Sequence, residues 1–389
     1  MQSTLVFGDL HLCSEGNPDA AAALVTLLAR HPDAPLVFAG DTLDLAAERT
    51  DDPAEAARRA LRAAPMLVKA LSERAARGVT TTLLAGNHDA AIAAPEVTRA
   101  IHQELSLEGD ARWAVRTEPW FVRIPTRGGD VHVEHGHCFD ADGAPAHPLA
   151  PELRDDVGIR LFRRFVVPVG AQSLVHANAE PPLALLARVV RMYGARAPAI
   201  VAGYVRVAAA ICNESGARFP LVSDRAFGAA QLADFAATRG LDRETLARMA
   251  DAHATPTMAN ATATFLRLYL DRVAATSALI GGAAVALAPS PFGALGASVA
   301  VLGAVSLAAS LVAGADRYGG RARRSLAAGA ETVAEITGAR TVVFGHVHVA
   351  ERGDRYRNTG SFGYGADRTH LRIDERGEVT LAAMPAHSA

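Results

Sequence analysis

The sequence predicts an α/β domain that is split by a long helical insertion, and three observations support this fold class. Over the first 147 residues, short apolar runs alternate with amphipathic segments, a rhythm typical of β-α-β units. From residue 148 to residue 337, strand-like patterns disappear and Ala, Leu, Val and Arg recur at helical spacing. Strand character returns within residues 338–389. We therefore expect one core made of 1–147 and 338–389, interrupted by an insertion at 148–337.

The first core segment begins with three strands that look buried. Each is an apolar run that leads into a Gly or Asp loop. The three runs are Thr4–Phe7, Pro35–Ala39 and Val79–Leu84. The stretch Asp52–Arg77, rich in Ala, Glu and Arg, predicts a helix between the last two, because Pro53 suits its first turn and Gly78 its end.

Further strands are predicted where apolar residues lie next to turn sequences. They are Phe121–Ile124, Asp130–Glu134, Thr341–Phe344, His370–Ile373 and Glu378–Ala382. In α/β sheets, ligands bind at the carboxyl ends of strands. Polar residues that directly follow these runs are therefore the candidates for function.

Composition narrows the class of protein. A chain of 389 residues with 50% apolar content can bury one large core or two smaller ones. The net charge of -2 argues against a general affinity for nucleic acid. Cys13, Cys138 and Cys212 are scattered, so no disulfide framework is expected and a reducing compartment fits. The first residues predict a strand rather than a signal peptide.

The insertion contains an uncharged segment from Val273 to Ala315. Its length is close to the roughly 40 residues that two membrane-spanning helices need, and Ala288–Gly293 predicts a turn near its middle. Arginines flank both ends, so we expect a hairpin that contacts a membrane from the cytoplasmic side. A buried helical hairpin or a self-association face is the alternative, because the segment is rich in Ala and Gly.

A second segment, Leu183–Ile211, places arginines among apolar residues. They are Arg188, Arg191, Arg196 and Arg206. Such a pattern suits a basic amphipathic helix on anionic lipid, but it also suits an ordinary solvated helix, and both interpretations stay open.

Five polar motifs each follow a predicted strand. They are Gly8–His11, Gly40–Asp44, Gly86–Asp89, Glu134–His137 and Gly345–His348. One such motif is weak, but five in this order are specific. Imidazole, carboxylate and amide ligands together suit Mn, Fe or Zn better than Mg or Ca. Two such ions about 3.5–4 Å apart can hold a phosphoryl group and generate a bridging hydroxide.

The motifs resemble those of the calcineurin-like metallophosphoesterase superfamily, whose pattern is D-x-H, G-D-x-x-D, G-N-H-D/E, H and G-H-x-H. The resemblance covers about 1–145 and 338–389. It implies a four-layer α/β/β/α sandwich, to which this chain adds the helical insertion with its apolar hairpin. It also implies hydrolysis of a phosphodiester, pyrophosphate or phosphomonoester by attack of a metal-bridging hydroxide, with two divalent transition metals (Mn, Fe or Zn, with Mn favoured).

The resemblance implies two ligand sets that share one carboxylate. The first metal would be bound by Asp9, His11, Asp41 and His348, and the second by Asp41, Asn87, His135 and His346. His88 matches the family's general acid, and Asp89 is expected to orient it. His137 is expected to contact a ligand residue or the substrate.

The segment Gly8–Leu12 is similar to one branch of the family, the UDP-2,3-diacylglucosamine hydrolases, which act on a lipid pyrophosphate at the membrane. That branch has Arg where this chain has His88, so the expected partner is a phosphate-ester substrate, lipid-linked or not. A nuclease-type phosphodiesterase and a non-catalytic membrane scaffold are the alternatives. We expect a cytoplasmic protein at the inner face of the membrane, with no nucleic-acid partner and with its oligomeric state open.

Overall fold

The computed structural model describes most of the chain. The described residues are 3–16, 18–150, 156–171, 182–289, 291–313, 319–364 and 367–385. Two compact units are present, and each is built from separate parts of the chain. The first comprises Met1–Phe162, Leu221–Pro256 and Ala322–Ala389, and the second comprises Arg163–Pro220 and Thr257–Arg321.

Helices make up most of the described chain outside the two sheets. In chain order they are α1 (Pro18–Arg30), α2 (Pro53–Arg62), α3 (Pro65–Ala76), α4 (Pro95–Glu104), α5 (Ala111–Ala114), α6 (Val157–Leu161), α7 (Val167–Val169), α8 (Pro182–Tyr193), α9 (Ala197–Asn213), α10 (Leu221–Ala230), α11 (Leu232–Arg239), α12 (Arg243–Asp251), α13 (Ala261–Arg267), α14 (Leu270–Leu287), α15 (Gly293–Ala313) and α16 (Gly319–Thr337).

The first unit contains a six-stranded sheet. Its spatial order is β11 (Val379–Pro385), β10 (Asp367–Ile373), β1 (Thr4–Phe7), β2 (Leu36–Phe38), β3 (Thr81–Leu84) and β4 (Val115–Glu118). The strands β1 to β4 are parallel, whereas β10 pairs antiparallel with β1 and β11. The predicted β-α-β order is therefore present, with the closing hairpin added at one edge.

The second sheet of this unit has five strands. Its spatial order is β5 (Phe121–Ile124), β6 (Val131–Glu134), β7 (Thr341–Phe344), β9 (Tyr356–Thr359) and β8 (Ala350–Arg352). The strands β6, β7 and β9 are parallel. Residues on both sides of the predicted insertion thus pair directly, because β6 precedes it and β7 follows it.

Three hydrophobic clusters define the layers of the first unit. Val6 and Val37 of the first sheet share one cluster with Val133 and Val343 of the second. The opposite face of the first sheet packs with α1 to α4 in another cluster, and the outer face of the second sheet packs with α11, α12 and α16 in a third. Because side chains alternate along a strand, each sheet buries both faces. The result is the predicted α/β/β/α order of layers.

The predicted helix over Asp52–Arg77 is two helices. Pro65 begins α3 and directly follows the break after α2. A proline has no backbone N–H and disfavours the helical conformation of the residue before it, so a continuous helix cannot run through this position.

The compact units divide the chain differently from the predicted domains. Residues 221–256 and 322–337 lie in the predicted insertion, yet they belong to the first unit. The reason is packing, because α11, α12 and α16 cover the second sheet with buried side chains such as Phe235, Leu246 and Val333. Helical periodicity alone shows that these segments are amphipathic but not which sheet they cover.

The second unit contains the apolar hairpin, formed by α14 and α15. A Cβ on Gly282 would lie 2.5 Å from the backbone nitrogen of Ala300, and a Cβ on Gly303 would lie 2.5 Å from that of Leu279. The two helices therefore touch backbone to backbone along a seam of glycines. Their other faces expose apolar side chains, including Leu302 at 66%. Residues 290, 314 and 315 of the predicted hairpin lie outside the described chain.

Among the residues that the structure describes, three helical segments are long and apolar enough to cross a membrane, judged by length and composition. They are Arg188–Asn213, Leu270–Leu287 and Gly293–Val312. The last two form the predicted hairpin, and the first coincides with the predicted basic segment. The third segment has a mean hydropathy of 2.1, and only 11% of its residues are buried.

Candidate metal centre

The predicted site residues lie at strand ends that converge. They follow β1 (Asp9, His11), β2 (Asp41), β3 (Asn87, His88, Asp89), β6 (His135) and β7 (His346, His348). Because β1, β2 and β3 are parallel neighbours in one sheet and β6 and β7 in the other, the loops after these strands gather at one edge of the two sheets.

The backbone of these loops has an unusual conformation. Seven non-glycine residues of the described chain have a positive φ, and five of them are predicted ligands. Those five are Asp9, His11, Asp41, His346 and His348. Such a conformation costs on the order of 1–3 kcal/mol per residue and is concentrated at functional sites. The fold therefore holds these side chains in place at the expense of local stability.

The four residues implied for the first metal lie together. Nε2 of His348 is 3.1 Å from Oδ1 of Asp9 and 3.3 Å from Nε2 of His11. Nε2 of His11 is also 3.6 Å from Oδ2 of Asp41. Two atoms that each bind one metal at about 2.1 Å lie roughly 3–3.5 Å apart. Asp9, His11 and His348 are therefore spaced as the ligands of one ion, and Asp41 lies next to His11.

A second set meets at the same carboxylate. Nε2 of His135 is 3.2 Å from Oδ2 of Asp41 and 3.3 Å from Oδ1 of Asn87. Nδ1 of His135 lies 2.8 Å from the carbonyl oxygen of Ala39; a hydrogen bond donated from Nδ1 to this oxygen leaves Nε2 as the nitrogen that could bind a metal. Asp41 Oδ2 thus faces both His11 and His135, the position of a bridging ligand.

Glycines in the motifs allow the ligands to approach the backbone. A Cβ on Gly86 would lie 2.2 Å from Oδ1 of Asp41, and one on Gly345 would lie 2.7 Å from Oδ2 of Asp9. A Cβ on Gly40 would lie 2.5 Å from the ring of His135. The glycine that precedes or flanks each ligand is therefore required for space.

The buried acids and imidazoles change one another's ionisation. Burial alone would raise the pKa of Asp41, but His135 and His88 hold it well below its usual range. Burial alone would lower the pKa of His135, yet the Asp41 carboxylate raises it to about 9. Burial lowers the pKa of His11, which favours the neutral imidazole that binds metals. The site therefore concentrates negative charge that cations would neutralise.

His88 lies beside the ligands and is held by an acid outside the two sets. Its Nδ1 is 2.8 Å from Oδ1 of Asp44. Burial alone would lower the pKa of His88, but Asp44 and Asp41 raise it to about 10. His88, His11 and Asp41 also have ligand atoms within 4.8 Å of one another. The carboxylate on Nδ1 fixes the orientation of the imidazole, as the expected role of proton donor requires.

The structure differs from the expectation that Asp89 orients His88. The fully buried Asp89 carboxylate accepts four backbone N–H bonds, at 2.7–3.2 Å. The donors are Asp41, Thr42, Leu43 and Gly86. These bonds occupy its oxygens and fix the loop that carries the bridging ligand. Asp44, which the motif G-D-x-x-D already contains, is the orienting acid instead.

His346 lies at the edge of the second set. Its ring centroid is 5.2 Å from that of His135, and its Nε2 is 3.1 Å from Oδ2 of Asp140. The other oxygen of Asp140 accepts a bond from the backbone N–H of Asp142 at 3.2 Å. If Nε2 donates this hydrogen bond to Asp140, Nδ1 is the nitrogen through which His346 could bind a metal; His346 belongs to none of the groups of close ligand atoms among the described residues. Asp140 lies outside all five sequence motifs and was therefore not predicted.

Two aromatic rings also border the site. Phe162 packs edge-on against His88 with centroids 5.3 Å apart, and Tyr364 stacks on His348 at 5.8 Å. Phe162 begins a π-helical turn within the predicted insertion, and no sequence signal pointed to it. Tyr364 follows the segment in which the hydroxyl of Ser361 donates to the carbonyl oxygen of Asp9 at 2.8 Å.

The donors that converge here fit divalent transition metals. The ligand atoms of Asp9, His11 and His348 all lie within 4.8 Å of one another, as do those of Asp9, Asp41 and His135. Mixed imidazole and carboxylate donors suit Mn, Fe and Zn. Both groups are mostly buried, and bound cations would offset the charge of the buried carboxylates.

Comparison with known proteins agrees with this chemistry. The family model of the calcineurin-like phosphoesterases matches residues 3–181. The match contains the first four motifs and extends past residue 147, the predicted end of the first core segment. It does not separate the branches of the family, so the similarity to UDP-2,3-diacylglucosamine hydrolases is not confirmed. No curated protein and no solved structure matches the chain.

Proposed function

We propose that the chain hydrolyses a phosphodiester, pyrophosphate or phosphomonoester at a membrane surface, a proposal supported by the match of residues 3–181 to the calcineurin-like phosphoesterase model. The family match and the candidate ligand groups support a metal-dependent phosphoesterase. The observation that carries the proposal is the position of Asp41, whose Oδ2 lies 3.6 Å from His11 and 3.2 Å from His135. One carboxylate that faces two ligand sets suits a dinuclear centre, with Mn favoured.

When bound, the metals supply a site for the phosphoryl oxygens, activation of water and charge neutralisation. The chain's own residues hold the metals and position them. Asp89 fixes the loop of Asp41 through backbone bonds, and the hydrogen bond from His135 to Ala39 sets the orientation of that imidazole. These contacts pre-organise the site, which is the main protein contribution to such catalysis.

His88 is the residue proposed to protonate the leaving oxygen. Asp44 holds its Nδ1, so the proton on Nε2 is the one available for transfer. Phe162 packs against the same ring and reduces its exposure to water. A neutral leaving alcohol departs more readily than an alkoxide, and a positioned acid contributes about 10²–10⁴-fold to such a step.

The apolar hairpin supports a membrane location, and with it a lipid-linked substrate. Ile280, Leu287 and Val312 expose 65%, 86% and 89% of their side chains, and large exposed apolar surfaces mark membrane or protein contacts. Residues 273–315 lack any charge. The resemblance to lipid-pyrophosphate hydrolases suggests the same substrate class, although His88 replaces their Arg. The inner face of the membrane is the proposed location.

The dinuclear centre is tested by elemental analysis after loading with Mn²⁺. We expect two metals per chain in the wild type and fewer in Asp41→Asn, because the bridging charge is lost. Asp354→Asn, an exposed carboxylate of the same unit, is the matched control and should keep both. Less than one metal per chain in the loaded wild type would contradict the proposal.

The substrate class is tested by turnover of the Mn-loaded protein on lipid-linked pyrophosphates, nucleotides and DNA. We expect the lipid-linked compounds to be hydrolysed fastest. Preference for DNA would favour the nuclease alternative. Binding of two metals without turnover of any phosphate ester would favour a non-catalytic scaffold.

A further inference from the structure

The connectivity of the chain limits which of the three candidate membrane segments can span a membrane. Segment 163–220 and segment 257–321 form the second unit, and each is preceded and followed along the chain by residues of the first unit. A segment that leaves a folded unit and returns to it must cross a membrane an even number of times. Segment 257–321 holds two candidate spans, whereas the described part of segment 163–220 holds one. The hairpin can therefore cross, but Arg188–Asn213 cannot cross as a single span.

Contacts within the second unit show where this helix would lie. The hydroxyl of Tyr204, in the middle of α9, donates to the carbonyl oxygen of Leu268 at 2.6 Å. Leu268 directly precedes α14, so α9 packs at the base of the hairpin, at the end opposite its turn. Arg272 Nε also lies at this base, 3.2 Å from Ser310 Oγ. If the hairpin enters a bilayer turn first, its charged base stays at the interface, and α9 stays there with it.

The charge of α8 and α9 has one sign. Residues 182–213 contain four arginines and no acidic residue. Arg191, Arg196 and Arg206 are exposed, and no carboxylate of the described chain forms an ion pair with any of the three. At about 100° per residue, Arg206 lies on the side of α9 opposite the buried Ala208 and Ile211. The packed side of α9 therefore leaves Arg206 exposed on the other side of the helix.

We propose that α8 and α9 lie on the membrane surface at the base of the hairpin and bind anionic phospholipid headgroups through Arg191, Arg196 and Arg206. The inference deepens the proposed membrane location and rests on it. Charge complementarity selects the occupant, since unpaired arginines attract a negative lipid surface, whereas a second copy of the same basic helix would be repelled. The hairpin supplies attachment, and the arginines supply a preference for anionic lipid.

The test measures partition of the purified full-length chain into vesicles of phosphatidylcholine alone and of phosphatidylcholine mixed with phosphatidylglycerol. We expect the wild type to bind both and to prefer the anionic vesicles. Each arginine contributes about fivefold near a charged surface, so the triple variant Arg191→Gln, Arg196→Gln and Arg206→Gln should lose roughly 100-fold of that preference. Its binding to neutral vesicles should not change.

A control variant carries the same change in net charge on exposed arginines of the first unit, Arg99→Gln, Arg352→Gln and Arg372→Gln. It should keep the preference of the wild type. If both triple variants lose the same part of the preference for anionic vesicles, or if the variant of Arg191, Arg196 and Arg206 loses none, the inference is wrong. Neither result would contradict the membrane location. A wild type that binds neither kind of vesicle would overturn the membrane location and the inference with it, without bearing on the metal centre.

Discussion

The Asp44 carboxylate contacts His88 and His11 at once: its Oδ1 lies 2.8 Å from Nδ1 of His88, and its Oδ2 lies 3.6 Å from Nδ1 of His11. Asp44 is 2% exposed, so both contacts are shielded from water. One side chain thus sets the orientation of the proposed acid and of a metal ligand next to it. This arrangement suits a positioning role for Asp44 in the proposed reaction.

The first prediction is that Asp44 acts through His88. His88→Ala should lower kcat by about 10²–10⁴ on a substrate with a poor leaving group, with metal content unchanged. Asp44→Asn should lower kcat in the wild-type background, because the imidazole of His88 would lose the carboxylate that orients it and favours its protonated form. Asp44→Asn should have little further effect in the His88→Ala background, since residues that act as a unit are not additive. Independent, additive losses in this double-mutant cycle would contradict the assignment.

A good leaving group provides an internal control for the same cycle. Hydrolysis of a p-nitrophenyl ester needs less protonation of the leaving oxygen, so the loss in His88→Ala should be smaller. Loss of metal from His88→Ala would instead identify His88 as a ligand.

The second prediction concerns Asp140, whose carboxylate lies 3.1 Å from Nε2 of His346. Asp140→Ala should weaken the second metal by about 10–100-fold, the usual effect of losing the acid behind a metal-bound imidazole. Isothermal titration with Mn²⁺ would resolve the two sites. Asp142→Asn keeps the backbone N–H that donates to Asp140 and is the matched control. If Asp140→Ala binds Mn²⁺ at both sites with the wild-type affinities, metal binding by His346 does not depend on its contact with Asp140.

The third prediction compares two adjacent glycines of the hairpin. An added Cβ at Gly281 meets nothing within 4 Å, whereas one at Gly282 lies 2.5 Å from the backbone nitrogen of Ala300. Gly281→Ala should therefore be neutral or stabilise α14 by up to about 1 kcal/mol. Gly282→Ala should force the helices apart and destabilise the hairpin by roughly 1–3 kcal/mol. Thermal unfolding in detergent, followed by circular dichroism, would measure both, and equal effects would argue against the close seam.

The fourth prediction concerns stability against pH. His370 is 5% exposed, and burial lowers its pKa from 6.5 to about 4. Between these values the unfolded chain binds a proton at this position and the folded chain does not, so stability falls as the pH falls through that window. His370→Phe should remove about 2 kcal/mol of the loss in the free energy of unfolding between about pH 7.5 and about pH 5. Urea denaturation measures the free energy of unfolding at each pH. An equal loss of this free energy in the wild type and in His370→Phe on acidification would contradict the prediction.

The sequence predicted the strand ends and most of the site because both are local. An apolar run followed by Gly and Asp fixes a strand and the loop after it, and Asp9, His11 and Asp41 belong to such loops. The partners of His88 and His346 are not local in this way, because Asp44 and Asp140 lie 44 and 206 residues away along the chain. Their contacts depend on how separate loops pack.

The helices of the predicted insertion also have packing partners that the local sequence does not predict. Its helices were predictable from periodicity, but α11, α12 and α16 cover the second sheet and belong to the first unit. Amphipathicity identifies a face to be buried without identifying its partner. The hairpin differs from these helices because its sequence is apolar throughout and shows no amphipathic pattern. This uniform apolar character alone predicted contact with a membrane, burial or self-association.

The last prediction separates the hairpin from the catalytic chemistry. None of residues 273–315 belongs to the first unit, which contains every predicted ligand. Replacing that segment by a short Gly/Ser linker should therefore leave the metal content and the hydrolysis of a small water-soluble phosphodiester unchanged. The variant should no longer sediment with membranes, because the uncharged surface that favours the bilayer is removed. Activity on a lipid-linked substrate should fall, since enzyme and substrate would no longer share a surface. Loss of metal binding in this variant would show that the hairpin is part of the catalytic fold. Wild-type protein that fractionates as soluble without detergent would assign the hairpin to packing between protein surfaces instead.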